Sequence, residues 1–131
     1  MYKKQILLIA AMVGFTATAA LAASSGDLNG PAVRKALAGK TVYLSASGIV
    51  LPIAYRGNGT MSGRLKISTA SLAGGAPTKD TGRWWISRDR LCQRWNRWQG
   101  GKSYCYKLSR QGQSLVWVRD DGRRGTARIG F

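Results

Sequence analysis

Two cysteines, four of the five tryptophans and eight of the 21 Lys/Arg residues fall within residues 82–110, GRWWISRDRLCQRWNRWQGGKSYCYKLSR, against one acid, Asp89. Arginine and tryptophan together can grip an anion. The guanidinium binds phosphate or carboxylate oxygens in pairs, and the indole covers rings or acyl chains. Trp95 and Trp98 flank the tip of this stretch with Arg94, Arg97 and Lys102 beside them, and these five residues form the first candidate binding site. Arg123 and Arg124 form a second basic one. The competing reading gives the aromatics to a small core, with arginine stems shielding the rings from water.

Other chemistries find little support. The chain has no His and no Glu, so the usual general bases are missing. No serine stands in a G-x-S-x-G elbow, and a cysteine nucleophile would lack a His partner. Asp80 before Thr81-Gly82, and Asp120-Asp121 before Gly122, read as turn formers. A metal site would need ligands beyond two cysteines. No catalytic residue, metal or cofactor is therefore assigned, and the chain reads as non-enzymatic.

Charge and compartment narrow the partner. Lys3 and Lys4 precede an apolar stretch, residues 6–22, which ends in Ala20-Leu21-Ala22, the small-x-small pattern of a leader-peptidase site. Residues 1–22 are thus expected to be a signal peptide, and residues 23–131 a single periplasmic or secreted domain. The whole chain carries +16, and loss of Lys3 and Lys4 leaves +14. Such a field attracts lipopolysaccharide, acidic lipid, cell-wall polymer or nucleic acid. Export disfavours nucleic acid, although cations interleaved with aromatics also occur on single-strand-binding barrels. An anionic envelope surface or polymer remains the preferred partner, with peripheral membrane contact and no spanning segment in the mature chain. The alternative is a structural or protein-interaction domain of the envelope.

The elements that position these residues are mostly strands. Asn29 or Gly30 can cap a helix with Pro31 in its first turn; Ala32, Val33, Ala36 and Leu37 recur at helical spacing before Gly39 ends it. Strands are then expected at residues 41–46, 49–55, 64–69, 82–87, 91–95, 103–109, 114–119 and 125–131, with turns at residues 56–59 and at Asp121-Gly122. Residues 70–80 form the longest loop. The fold class is mainly β: a small antiparallel barrel or sandwich of seven to eight strands with one short N-terminal helix. Strand 125–131 ends on Phe131, as outer-membrane barrels do, but outward Arg and Lys leave no apolar lipid face.

In an exported chain Cys92 and Cys105 are expected to form a disulfide, placed as directly opposed residues of a hairpin. Leu91 then faces Tyr106, Gln93 faces Tyr104 and Arg94 faces Ser103. Trp84 and Ile86 point one way and Trp85 the other, so at least one of the two tryptophans is expected in the core, as is Trp117.

Gly39-Lys40-Thr41-Val42, Asp80-Thr81-Gly82-Arg83-Trp84, Leu91-Cys92-x-x-Trp95, Cys105 and Ser109-Arg110-x-Gly112 together resemble small exported proteobacterial domains of unknown function, of alphaproteobacterial type. In these a G-x-W strand precedes a Leu-Cys-x-x-Trp strand and a second Cys. The resemblance implies a β-rich periplasmic or surface domain and carries no activity.

Overall fold

A computed structural model describes residues 26–46, 48–65 and 77–130. The expected signal peptide, Phe131 and most of the loop over residues 70–80 lie outside them. In chain order the elements are β1 (Gly26–Asp27), α1 (Gly30–Leu37), β2 (Lys40–Ala46), β3 (Ile49–Tyr55), β4 (Thr60–Arg64), β5 (Lys79–Ser87), β6 (Arg90–Trp95), a 3-10 turn (Trp98–Gly101), β7 (Ser103–Gln111), β8 (Ser114–Arg119) and β9 (Arg124–Ile129). Each strand from β2 to β9 pairs antiparallel with the next, and β9 pairs back onto β2. The result is a closed eight-stranded up-and-down barrel, which leaves no free edge among these strands. β1 adds a two-residue rung outside β7, Gly26 opposite Arg110 and Asp27 opposite Ser109.

Alternation decides what faces the lumen. Along β5, Asp80, Gly82 and Trp84 are buried while Lys79, Thr81, Arg83, Trp85 and Ser87 are exposed. The core gathers Val42, Ile53, Met61, Leu91, Leu108, Leu115 and Ile129 from different strands. Apolar inside and charged outside is the reverse of a lipid-facing barrel. No helix among the described residues is long and apolar enough to cross a membrane.

Helix α1 is the plug of one barrel end. Asn29 caps it, its side chain accepting from the Ala32 N–H at 3.0 Å. Asp89, from the β5–β6 turn, accepts from the Gly30 N–H at 2.7 Å and so ties the helix start to the barrel. Val33, Ala36 and Leu37 face the lumen, buried to 4 % exposure or less. Gly39 takes a φ of 75°, which lets the chain reverse from helix into β2, and its N–H donates to the Tyr55 carbonyl.

One expected strand is displaced. Residues 64–69 were to alternate, but the strand is Thr60–Arg64, and residues 66–69 lie outside the described part. Asn58 accepts from both the Thr60 N–H and the Thr60 hydroxyl, which closes the turn and starts β4 at once. Its inward residues are Met61 and Gly63. A Gly63 Cβ would stand 2.8 Å from Trp98 Cζ3 and 3.0 Å from Trp95 Cη2, so a bare backbone is what admits these rings. That requirement comes from the next strand but one and leaves no local hydrophobic pattern.

The hairpin of β6 and β7 has the expected register, Cys92 opposite Cys105, Leu91 opposite Tyr106, Gln93 opposite Tyr104 and Arg94 opposite Ser103. The disulfide is formed, spanning 13 residues. Closing a loop of this size contributes roughly 3 kcal/mol by removing unfolded-chain freedom.

Candidate functional site: a cationic outer wall

The outward residues of β4, β5 and β6 form a wall of cations. Arg64 lies directly opposite Lys79, and Arg83 directly opposite Arg94. Directly opposed strand residues hold their Cβ atoms about 5 Å apart, and like charges there are destabilising. Between these pairs Thr81 and Asn96 join through a 3.0 Å hydrogen bond. One rung beyond Arg83 stands Trp85, 39 % exposed, opposite Cys92. An open groove of about 640 Å³ crosses the outer faces of β2 to β5, bordered by Ser62, Arg64, Lys79, Thr81, Asn96 and Arg97.

Among the described residues no carboxylate pairs with Arg64, Lys79, Arg83 or Arg94; the buried Asp80, which also lines the groove, pairs with Arg97, and all five acids serve local structure. Asp27 accepts from Ser109 Oγ and pairs with Lys107 Nζ at 2.8 Å; the Lys107 and Ser109 hydrogen bonds hold its carboxyl below the usual range. Asp89 holds the helix start. Asp120 accepts from the Cys105 N–H. Asp121 takes the Arg119 guanidinium on both oxygens, and that contact holds its carboxyl down to about 2. Asp80 is 5 % exposed. Burial pushes its carboxyl up, but the N–H groups of Trp98, Arg97 and Thr81 outweigh burial and hold it below the ordinary value. Asp80, expected as a turn former, is instead a strand residue that shapes the neighbouring turn. Among the described residues only Arg97, Lys107 and Arg119 lie in ion pairs.

The seven residues singled out in the sequence separate. Trp95, whose exposure the sequence left open between a binding tip and a small core, is 3 % exposed and stacks on Trp98 with centroids 4.7 Å apart. Trp98 is half-buried, and its indole N–H donates to the Pro77 carbonyl at 2.9 Å. The core reading holds for Trp95 and in part for Trp98, because strand alternation carries Trp95 inward and Gly63 leaves space there for the pair. Arg94 does project outward, next to Arg83. Arg97 borders the groove, its guanidinium donating to the Lys79 carbonyl and lying 3.9 Å from Asp80. Lys102 is exposed where the turn leads into β7. Arg123 and Arg124 are exposed at the β8–β9 turn, at the same barrel end as the β6–β7 turn but off the wall.

Trp85, Arg83, Arg64 and Lys79 were not singled out as site residues. The signal for Trp85 was present: it alternates with Trp84 and Ile86, so burying Trp84 exposes it. The Arg64–Lys79 pair had no such signal, since pairing β4 with β5 depends on register across residues 66–76, whereas the Arg83–Arg94 pair follows from the tight β5–β6 turn.

Comparison with protein-family models, curated proteins and solved structures finds no match to this chain.

Proposed function

We propose that this protein is a non-enzymatic periplasmic or secreted module that binds an anionic envelope component, whether lipopolysaccharide, acidic lipid or cell-wall polymer. The observation that carries the reading is the two pairs of directly opposed cations, Arg64 with Lys79 and Arg83 with Arg94, none of them in an ion pair with an acid among the described residues. Such an arrangement costs stability in the free protein. A polyanion bridging the two pairs converts that repulsion into attraction, with arginine forks holding phosphate or carboxylate oxygens. Trp85 offers an apolar surface beside them for a sugar ring or the boundary of a lipid layer. Binding of this kind weakens with salt, because exposed charges are screened over about 10 Å at 0.1 M.

Retention on lipopolysaccharide and on phosphatidylglycerol vesicles across a salt series tests this. The protein is expected to bind at low salt and elute as salt rises, and Arg83→Ala with Arg94→Ala is expected to weaken retention at least tenfold. Failure to bind either surface at low salt would refute the proposal, as would full retention by the double variant.

A second reading, a structural or protein-interaction domain of the envelope, draws on the fate of the aromatics. Trp84 and Trp95 are buried, and Trp98 and Trp117 pack against the core, leaving Trp85 as the exposed ring. Aqueous quenchers are therefore expected to reach one tryptophan in the free protein. If an anionic polymer does not protect that ring, the second reading gains over the first.

A further inference from the structure

The barrel lumen is not filled. A cavity of about 380 Å³ runs inside it, within the range of small-molecule sites and far above the water-sized voids of a packed core. It reaches from Leu37 on the helical plug to Arg119 and Arg123 at the opposite end. Along β3 it touches three successive inward positions, Leu51, Ile53 and Tyr55, about 13 Å of strand. Eight strands enclose about enough room for one small ligand when side chains do not fill it. A dry apolar cavity attracts apolar matter, and leaving it empty costs more as its volume grows.

Its polarity is graded. Midway, Gln93 Oε1 accepts the Tyr55 hydroxyl at 2.7 Å, so that pair is satisfied internally. The indole N–H of Trp117 is buried without a partner, the one such side-chain atom among the described residues. At the open end stand Gln99, Arg119 and Arg123, and no residue lining the cavity is acidic. Arg119 is held by Asp121 and lies 4.2 Å over the Tyr104 ring. Arg123 makes no ion pair among the described residues.

We infer that the lumen binds a free single-chain acyl carboxylate, its chain between Leu37 and Trp98 and its carboxylate at the rim on Arg123. A narrow lumen running from plug to rim favours one flexible chain over two. The rim supplies positive charge and amide donors; the acid beside it, Asp121, is taken up by the Arg119 guanidinium and the Arg123 N–H, which leaves the Arg123 guanidinium for an anionic head. This site is inside the barrel and independent of the outer wall, so either can exist without the other.

Decanoate and decanol, titrated into the disulfide-bonded full-length mature protein below their aggregation thresholds, test the inference. Calorimetry gives stoichiometry and affinity, and tryptophan emission reports on Trp95, Trp98 and Trp117 in the wall. Decanoate is expected to bind one to one, at least tenfold tighter than decanol. Arg123→Ala should bring decanoate to the affinity of decanol. Ala127→Phe, which fills the lumen, should abolish both; if it does not fold, Leu44→Trp at the rim serves the same purpose. Arg83→Ala with Arg94→Ala should change neither affinity. Non-saturable decanoate uptake, binding untouched by both lumen variants, or loss of binding in the wall variant would overturn the site. Saturable uptake of two-chain phosphatidylglycerol without decanoate binding would overturn the single-chain assignment.

Discussion

Arg83 and Arg94 stand opposite each other with nothing negative between them, while every aspartate of the protein is occupied elsewhere. A residue retained for stability would not be placed there. Arg94→Thr removes the repulsion and introduces a better strand former, so it is expected to raise the unfolding free energy by about 0.5 kcal/mol while weakening anion binding. Chemical denaturation and retention on anionic vesicles read the two effects separately. Asp80 is the opposite case. Asp80→Ala leaves the N–H groups of Arg97 and Trp98 without their acceptor, and an urea melt is expected to show a loss of about 2–3 kcal/mol. The charge types and the outward position of Arg94 were legible in the sequence. The burial of Trp95 was not, because exposure near a hairpin tip depends on what a strand distant in sequence places against the ring. Here that is Gly63, 32 residues earlier in the chain, an otherwise unremarked glycine.

The hairpin of β6 and β7 is the element most completely foreseen. Two cysteines 13 residues apart, with alternating residues either side, specify both bridge and register. Cys92→Ser is expected to lower stability by roughly 3 kcal/mol, and mass spectrometry of the oxidised wild type should find no free thiol. The short helix was equally readable, since Asn29, Pro31 and Gly39 act within a few residues of themselves. Strand β4 begins four residues before the run 64–69 to which the sequence pointed, of which residues 66–69 lie outside the described part. Its register against β5 is fixed by long-range pairing, Thr60 opposite Arg83 and Gly63 opposite Asp80, and polar residues on its outer face dilute the period-two signal.

For the whole molecule, charge and topology act together. The chain has no His and no Glu, the side chains that most often couple stability to pH near neutrality, so stability is expected to be flat between about pH 5 and 8. Asp27, Asp80 and Asp121 all have folded pKa values held below the unfolded one. Their contribution is complete above the unfolded value of about 3.9 and is lost as pH falls through the folded values, about 2 for Asp121. Thermal melts should therefore hold steady from about pH 8 to 5 and drop between about pH 4 and 2, where the rising positive charge adds self-repulsion. Composition, a leader-like start and strand periodicity, all local or summed properties, determined a basic, β-rich, disulfide-bridged chain from sequence alone. Closure of β9 onto β2 was decided only by tertiary pairing, and with it came the lumen and the side on which each tryptophan lies. The physical reason is that alternation says which residues share a face. Only the closed ring of strands says whether that face is wall or lumen, and which cations meet across it.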